Sequence, residues 1–242
     1  MKLVIIRHGD PNYAIDSLTP TGWKEAELLA ERISKLDVKA FYVSPLGRAQ
    51  DTALKTLQKM GRKAETLPWL REFSPRIVHP WNTRNTCIWD WLPQEWANNP
   101  QFYDPENWYK VPIFQEAGVG KEYKWVVEGF DALLARHGYV RDGKYYKVEN
   151  SNSDTIVLFC HFGLEALLLS HLMNVSPMVL WHGTCAAPTS VTTVYTEERR
   201  EGIASFRMAS FGDISHLYVA DQEPSFSGRF CECFHFDHQR HD

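Results

Sequence analysis

Residues 3–9 read Leu3-Val4-Ile5-Ile6-Arg7-His8-Gly9. A run of aliphatic residues, most of them β-branched, is the pattern of a strand buried on both faces. The run stops at a cation, an imidazole and a glycine. Ligands of open α/β sheets collect outside the carboxyl ends of such strands. Arg7 and His8 would stand there, with Gly9 letting the backbone turn closely around a bound group. A surface turn after an edge strand has the same local pattern, so the flanking chain must separate the two readings.

Downstream, Asp10 to Ser17 reads as loop. Thr19-Pro20 supplies an N-cap hydroxyl and a proline for the first helical position. Trp23, Ala26, Leu29, Ile33 and Leu36 then recur at helical spacing as far as Lys39. Phe41-Tyr42-Val43 is a second short strand, ending at Ser44-Pro45-Leu46-Gly47-Arg48. A helix over 47–60 is stopped by Gly61. An extended piece over 65–70 leads to Arg71-Glu72. Strand–helix alternation of this kind predicts a three-layer α/β/α sandwich with a mostly parallel central sheet.

The alternation breaks at 74–120, where prolines are frequent and Trp81, Trp89, Trp91, Trp96 and Trp108 cluster. This stretch reads as an insertion of short helices and loops over the catalytic edge of one domain spanning 1–242. A structureless loop of that length would be unusual unless it were a lid; an ordinary packed subdomain is the other reading. Beyond it, a helix is predicted over 121–137 and a hairpin around Asp142-Gly143. Thr155 to Phe159 is a buried strand ending at Cys160-His161-Phe162-Gly163, followed by an apolar helix through Met173. Strands at 190–195 and 203–209 flank a charged turn.

Composition narrows the function classes. At 242 residues with 44% apolar side chains, the chain can bury a real core. A net charge of −4 leaves no global basic footprint for nucleic acid. No apolar run approaches membrane-span length and no secretory segment precedes the first strand, so neither nucleic acid nor membrane is expected as a partner. Five cysteines, an odd count, fit reduced cytoplasmic thiols better than a disulfide framework.

The strand ends carry similar chemistry: Arg7 and His8, Arg48, Glu72, His161. Guanidinium forks match phosphate oxygens, so these groups describe a compact dianion site if the sheet brings them together. There is no Gly-rich loop ending in Gly-Lys-Ser/Thr, which argues against a nucleotide P-loop. The tail Cys231-Glu232-Cys233-Phe234-His235-Phe236-Asp237-His238 holds zinc-type ligands, but at a spacing too tight for a usual structural site. A flexible or docked tail is the reading preferred, and no metal or other cofactor is expected.

Leu3 to Gly9, Leu18-Thr19-Pro20-Thr21-Gly22, Ser44-Pro45-Leu46-Gly47-Arg48-Ala49-Gln50-Asp51-Thr52-Ala53, Leu70-Arg71-Glu72 and Cys160-His161-Phe162-Gly163 together resemble the histidine phosphatase superfamily, in its phosphoglycerate mutase-like branch. The similarity covers roughly 1–73 and 121–220. It implies that His8 is a nucleophile forming a phosphohistidine, with its Nδ1–H held by a backbone carbonyl. It implies that Arg7, Arg48 and a charged His161 bind the phosphoryl oxygens. Glu72 fits the branch's proton donor, with Asp10 as runner-up. The acid phosphatase branch takes its donor directly after the second His, where this chain has Phe162.

The mutases proper carry Glu-Arg-x-Tyr-Gly after their acid segment, which Glu72-Phe73-Ser74-Pro75-Arg76 does not match. The family also usually has a Gly shortly after this Glu, and this chain has none there. The expected function is therefore hydrolysis of a small-molecule phosphomonoester. A phosphomutase and a non-catalytic phosphate-binding relative are the alternatives. Asn12, Ser17 and Thr19 are further candidates for binding phosphate, each equally readable as a turn or cap residue. Arg71, Arg76, His79, Arg84 and Lys121 flank the insertion and are candidates for contacting the rest of a substrate. The Trp-rich walls suggest a leaving group with apolar or planar surface.

Overall fold

The computed structural model describes residues 1–241. β1 (Lys2–Arg7) is followed by a small hairpin, β2 (Pro11–Asn12) and β3 (Ser17–Leu18). Then come α1 (Pro20–Ile33), β4 (Ala40–Val43), α2 (Gly47–Met60) and β5 (Glu65–Thr66). A 3-10 turn at Pro68–Leu70 leads to β6 (Arg76–Val78), β7 (Asn85–Cys87), α3 (Pro93–Trp96) and α4 (Pro112–Glu116). The chain closes with α5 (Val119–Arg136), β8 (Tyr139–Asp142), β9 (Tyr145–Val148), β10 (Thr155–Cys160), α6 (Phe162–Met173), α7 (Pro177–Gly183), β11 (Val191–Arg200), β12 (Ile203–Asp213) and α8 (Ser215–Tyr218).

The main sheet has the order β5-β4-β10-β1-β11-β12-β9-β8. β5, β4, β10 and β1 run parallel, and the strands beyond β1 add on antiparallel. Side chains alternate across a strand, and β1 shows how this makes layers. Leu3 and Ile5 pack with Phe130 and Leu134 of α5 and Leu164 and Leu168 of α6. Val4 and Ile6 pack with Leu29 and Ile33 of α1 and Ala53 of α2. The same alternation splits β10, with Ile156 and Leu158 on the first face and Val157 and Phe159 on the second. An α/β fold with helices on both faces of a large mixed sheet results.

Local chemistry sets the boundaries. Thr19 caps α1 by accepting from Gly22 N at 3.1 Å, and Pro20 occupies its first turn. α1 ends at Ile33, short of Lys39, because Leu36 is used in the following turn, where it packs against the second cluster. Gly61, at φ +61°, closes α2 in the left-handed region. The extended piece predicted over 65–70 pairs only at Glu65–Thr66, since Pro68 turns the chain into a 3-10 turn. β11 extends into the charged turn predicted at 197–202, and with β12 it forms one long hairpin reversed at Glu201-Gly202. The segment 74–120 packs many of its aromatics, Trp91, Phe102, Trp108 and Phe114 among them, into the first cluster.

Leu29 is fully buried between α1 and the sheet. Leu29→Ala is expected to cost about 2–5 kcal/mol of unfolding free energy, measured as a lowered urea midpoint with unchanged slope.

Candidate active site

Parallel strands β1, β10 and β4 end side by side, so their carboxyl ends bring Arg7, His8, His161 and the loop before α2 to one edge. His8 N donates to Cys160 O at 2.9 Å and Arg7 N to Ser190 O at 3.2 Å, locking the end of β1 between its two neighbours. The His8 and His161 rings lie 5.1 Å apart, tilted by 58°. Both are buried, as is Arg7. Gly9 is required for a close approach of a different kind from the one expected: a Cβ there would lie 2.9 Å from Gly22 O. It lets the loop pack against the first turn of α1.

His8 Nδ1 is 2.7 Å from Gly9 O. A carbonyl only accepts, so Nδ1 carries the proton and Nε2 keeps its lone pair. Burial pushes the His8 pKa well below its ordinary value, and Arg7 and Arg48 push the same way against the Gly9 bond. His161 is likewise held well below its ordinary value by burial, then by His8, Arg48 and Arg7. The cationic form of His161, expected from the sequence, is therefore disfavoured while no anion stands beside it. Two guanidiniums are already buried there, and a third cation needs an anion before it is favourable.

Each guanidinium is held from outside the pocket. Arg7 Nη1 donates to Ala186 O and, at 3.2 Å, to Ser227 O. Arg48 pairs with Asp16 at 2.6 Å, and Gly47 N donates to the same carboxylate at 2.7 Å. Burial raises the Asp16 pKa, but these N–H bonds and the Arg48 charge outweigh it and hold it below the usual range. Three buried nitrogens, Arg7 Nε, Arg48 Nε and His161 Nδ1, make no hydrogen bond. A tetrahedral oxyanion suits such a donor set without a metal.

Glu72 stands beside His161 through α6. Its carboxyl accepts from Phe73 N at 2.9 Å, Leu164 N at 2.9 Å and Gly163 N at 3.4 Å. The N–H bonds at the helix N-terminus favour the carboxylate, as does Arg48, but burial dominates and raises the Glu72 pKa. Gly163 is obligatory here, since a Cβ would lie 2.5 Å from the Trp89 ring and 2.8 Å from Glu72 Oε1.

The other candidates have local partners. Thr19 Oγ1 donates to Asp10 Oδ2 at 2.6 Å besides capping α1. Asn12 Oδ1 accepts from Ala14 N at 3.2 Å in a turn, and Ser17 donates to Asp51 at 2.5 Å. The Asp10 carboxylate also accepts from Ser225 Oγ at 2.5 Å. Arg71 pairs with Glu122 at 2.6 Å, Arg76 bonds Asn85 O, and His79 bonds Cys87 O at 2.8 Å. The tail is docked, with Arg240 paired to Asp90 at 3.0 Å.

Sequence reasoning passed over Ser44, Thr52 and Glu165. Ser44 Oγ lies 2.7 Å from His161 Nε2, and Thr52 Oγ1 accepts from Gly9 N at 2.8 Å. Both sit inside the quoted Ser-Pro-Leu motif, whose spacing does not say which hydroxyl faces which ring. Glu165 was visible as the carboxylate of an otherwise apolar helix. It is fully buried beside Thr192, and burial raises its pKa to about 7.

The chain was compared with known proteins. The model of the "Histidine phosphatase superfamily (branch 1)" matches residues 3–208. None of the curated proteins matches the chain significantly by sequence. Among solved structures, the phosphoserine phosphatase of Entamoeba histolytica in complex with 3-phosphoglyceric acid aligns at TM-score 0.57 and 20% identity, over 89% of this chain and 98% of that one. A mycobacterial glucosyl-3-phosphoglycerate phosphatase aligns at TM-score 0.54 and 20% identity, over 87% of this chain and 98% of that one. The protein YhfR of Bacillus stearothermophilus aligns at TM-score 0.57 and 19% identity, over 89% and 98%. At these identities the likeness is one of fold.

Glu165 gives a pH-dependent stability of defined sign. The group ionises at 4.5 when unfolded and at about 7 when folded. Between those values the native state holds a proton that the unfolded chain lacks, so stability falls as pH rises and levels off above 7. Glu165→Gln is expected to flatten this slope and to gain about 3 kcal/mol relative to wild type between pH 4.5 and 8. Urea unfolding at both pH values measures it.

Proposed function

The chain belongs to the histidine phosphatase superfamily, branch 1, and we propose that it hydrolyses a phosphomonoester, without a metal, through a phosphohistidine on His8. The observation that carries this reading is the His8 Nδ1–Gly9 O bond of 2.7 Å in a pocket that keeps the imidazole neutral. A ring poised to bind phosphate passively would gain from a proton on both nitrogens. A nucleophile needs one bare nitrogen, and the Gly9 carbonyl leaves it at Nε2.

In the first step the Nε2 lone pair attacks phosphorus and the ester P–O bond breaks. Glu72, whose carboxyl burial keeps more easily protonated, gives its proton to the departing oxygen. Arg7, Arg48 and His161 bind the equatorial oxygens, where charge accumulates in the transition state. The dianion reverses the electrostatics of His161, so that substrate binding favours its protonation. In the second step Glu72, now a carboxylate, takes a proton from water as the water oxygen attacks phosphorus. The Nε2–P bond breaks and inorganic phosphate leaves. Two of the fold neighbours carry the names of phosphatases acting on small phosphorylated metabolites, and this chain's substrate is assigned to the same broad class.

The purified protein is expected to release phosphate from an aryl phosphate in the presence of a chelator, and His8→Ala to abolish it; retained turnover in that variant sinks the mechanism. Glu72→Gln is expected to slow alkyl esters at least tenfold more than activated aryl esters, whose leaving groups need no proton. Its kcat/KM profile should also lose the alkaline fall. In the wild type, activity falls as Glu72 ionises above the usual carboxylate range, while neutral His8 sustains activity well below pH 6.5.

A further inference from the structure

A second cavity adjoins the phosphate pocket, with a volume of about 1040 Å³. That is at the upper end for small-molecule sites and far more than a three-carbon leaving group fills. Two of its lining residues lie next to the groups assigned to phosphate. Phe162 follows His161 directly, and Gly228 lies against the Arg7 guanidinium, where a Cβ would be 2.8 Å from Nη2. Its other walls come from the inserted segment, from α7 and from the C-terminal tail.

The tail is stapled across this mouth at both ends. Ser225 bonds Asp10 at 2.5 Å and Glu25 at 3.2 Å, Ser227 O accepts from Arg7, and Arg240 pairs with Asp90 of the insertion. Phe230, under the Arg240 guanidinium at 4.1 Å, forms part of the roof.

The chemistry of the walls is aromatic. Trp81 packs 4.6 Å from His79 and 5.4 Å from Trp91. Trp96 stacks on His182 at 4.6 Å and 23°. Trp181 spends its N–H on Gly163 O at 2.8 Å and leaves its ring as wall. His79 and His182 are both pushed toward the neutral form by burial. Arg229 pairs with Glu232, as Arg240 does with Asp90. Trp81, Trp96 and Phe162 remain partly exposed, which is where the cavity meets them.

We propose that this cavity is the leaving-group subsite, and that it takes a planar, uncharged ring system joined to the phosphate by a short linker. The proposal rests on the phosphatase reading for its anchor: the phosphate held by Arg7, Arg48 and His161 sets where the rest of the ester goes. Planar rings are the groups that gain from indole and imidazole faces beyond simple area burial. A small zwitterionic leaving group would leave those walls wet.

The test compares two alkyl esters with similar leaving oxygens, ethyl phosphate and 2-(naphthyl)ethyl phosphate. On His8→Ala, which binds without turnover, calorimetry should show the naphthyl ester at least tenfold tighter. Trp81→Ala and Trp96→Ala should narrow that ratio, and Trp81→Phe should keep it, with thermal midpoints recorded to exclude unfolding. Equal affinities for the two esters, with both hydrolysed by wild type, overturn the subsite and leave the phosphatase reading standing. Preferential binding of the naphthyl ester with no hydrolysis by wild type upholds the subsite and overturns the reaction.

Discussion

Two guanidiniums are buried at the edge of the sheet against two imidazoles, and much of the structure around them answers the cost of that burial. Of the two, Arg48 has a carboxylate partner among the described residues, Asp16, which sits at φ 48° so that one carboxylate reaches both Gly47 N and Arg48. Arg7 has none. It is held by the carbonyls of Ala186 and Ser227, from the loop before β11 and from the tail. The Arg48 charge is thus met by a carboxylate, while that of Arg7 is fixed in place by neutral carbonyls. Burial first, and then the neighbouring positive charges, disfavour the cationic forms of His8 and His161.

Glu72 shows a second balance. Three backbone N–H groups and Arg48 favour its carboxylate, and burial favours its acid. Burial wins and raises the pKa, while the helix terminus works against it. Trp89 and Gly163 maintain this balance by packing, since the indole closes over the glycine that Glu72 also touches. Glu165, buried in α6, is raised chiefly by burial, with the charge of Glu72 adding to it in the same direction.

The phosphate pocket and the aromatic cavity have different origins in the chain. Parallel strands and the helices that follow them build the first. The segment 74–120 and the tail after α8 build the second. Phe162, which follows His161, and Gly228, which lies against Arg7, are the residues of the cavity wall nearest the first.

Much of this was legible in the chain itself. The apolar runs at 3–6 and 155–159, each ending in Arg or His, determined the buried strands and their polar ends, because a doubly buried strand tolerates nothing else. Thr19-Pro20 and Gly61 marked helix ends through chemistry local to those residues. The residues of the pocket were visible as types: Arg7, His8, Arg48, Glu72 and His161. Tertiary structure decided their states. That burial disfavours the cationic forms of His8 and His161, and that Glu72 lies on the N-terminus of α6, depend on packing and on partners distant in sequence, whereas the carbonyl that holds His8 Nδ1 belongs to the next residue. The tail could not be placed from its composition, since nothing local says that Ser225 and Ser227 will meet Asp10 and Arg7. Periodicity and caps are properties of neighbours along the chain, whereas a pKa and a cavity are properties of neighbours in space.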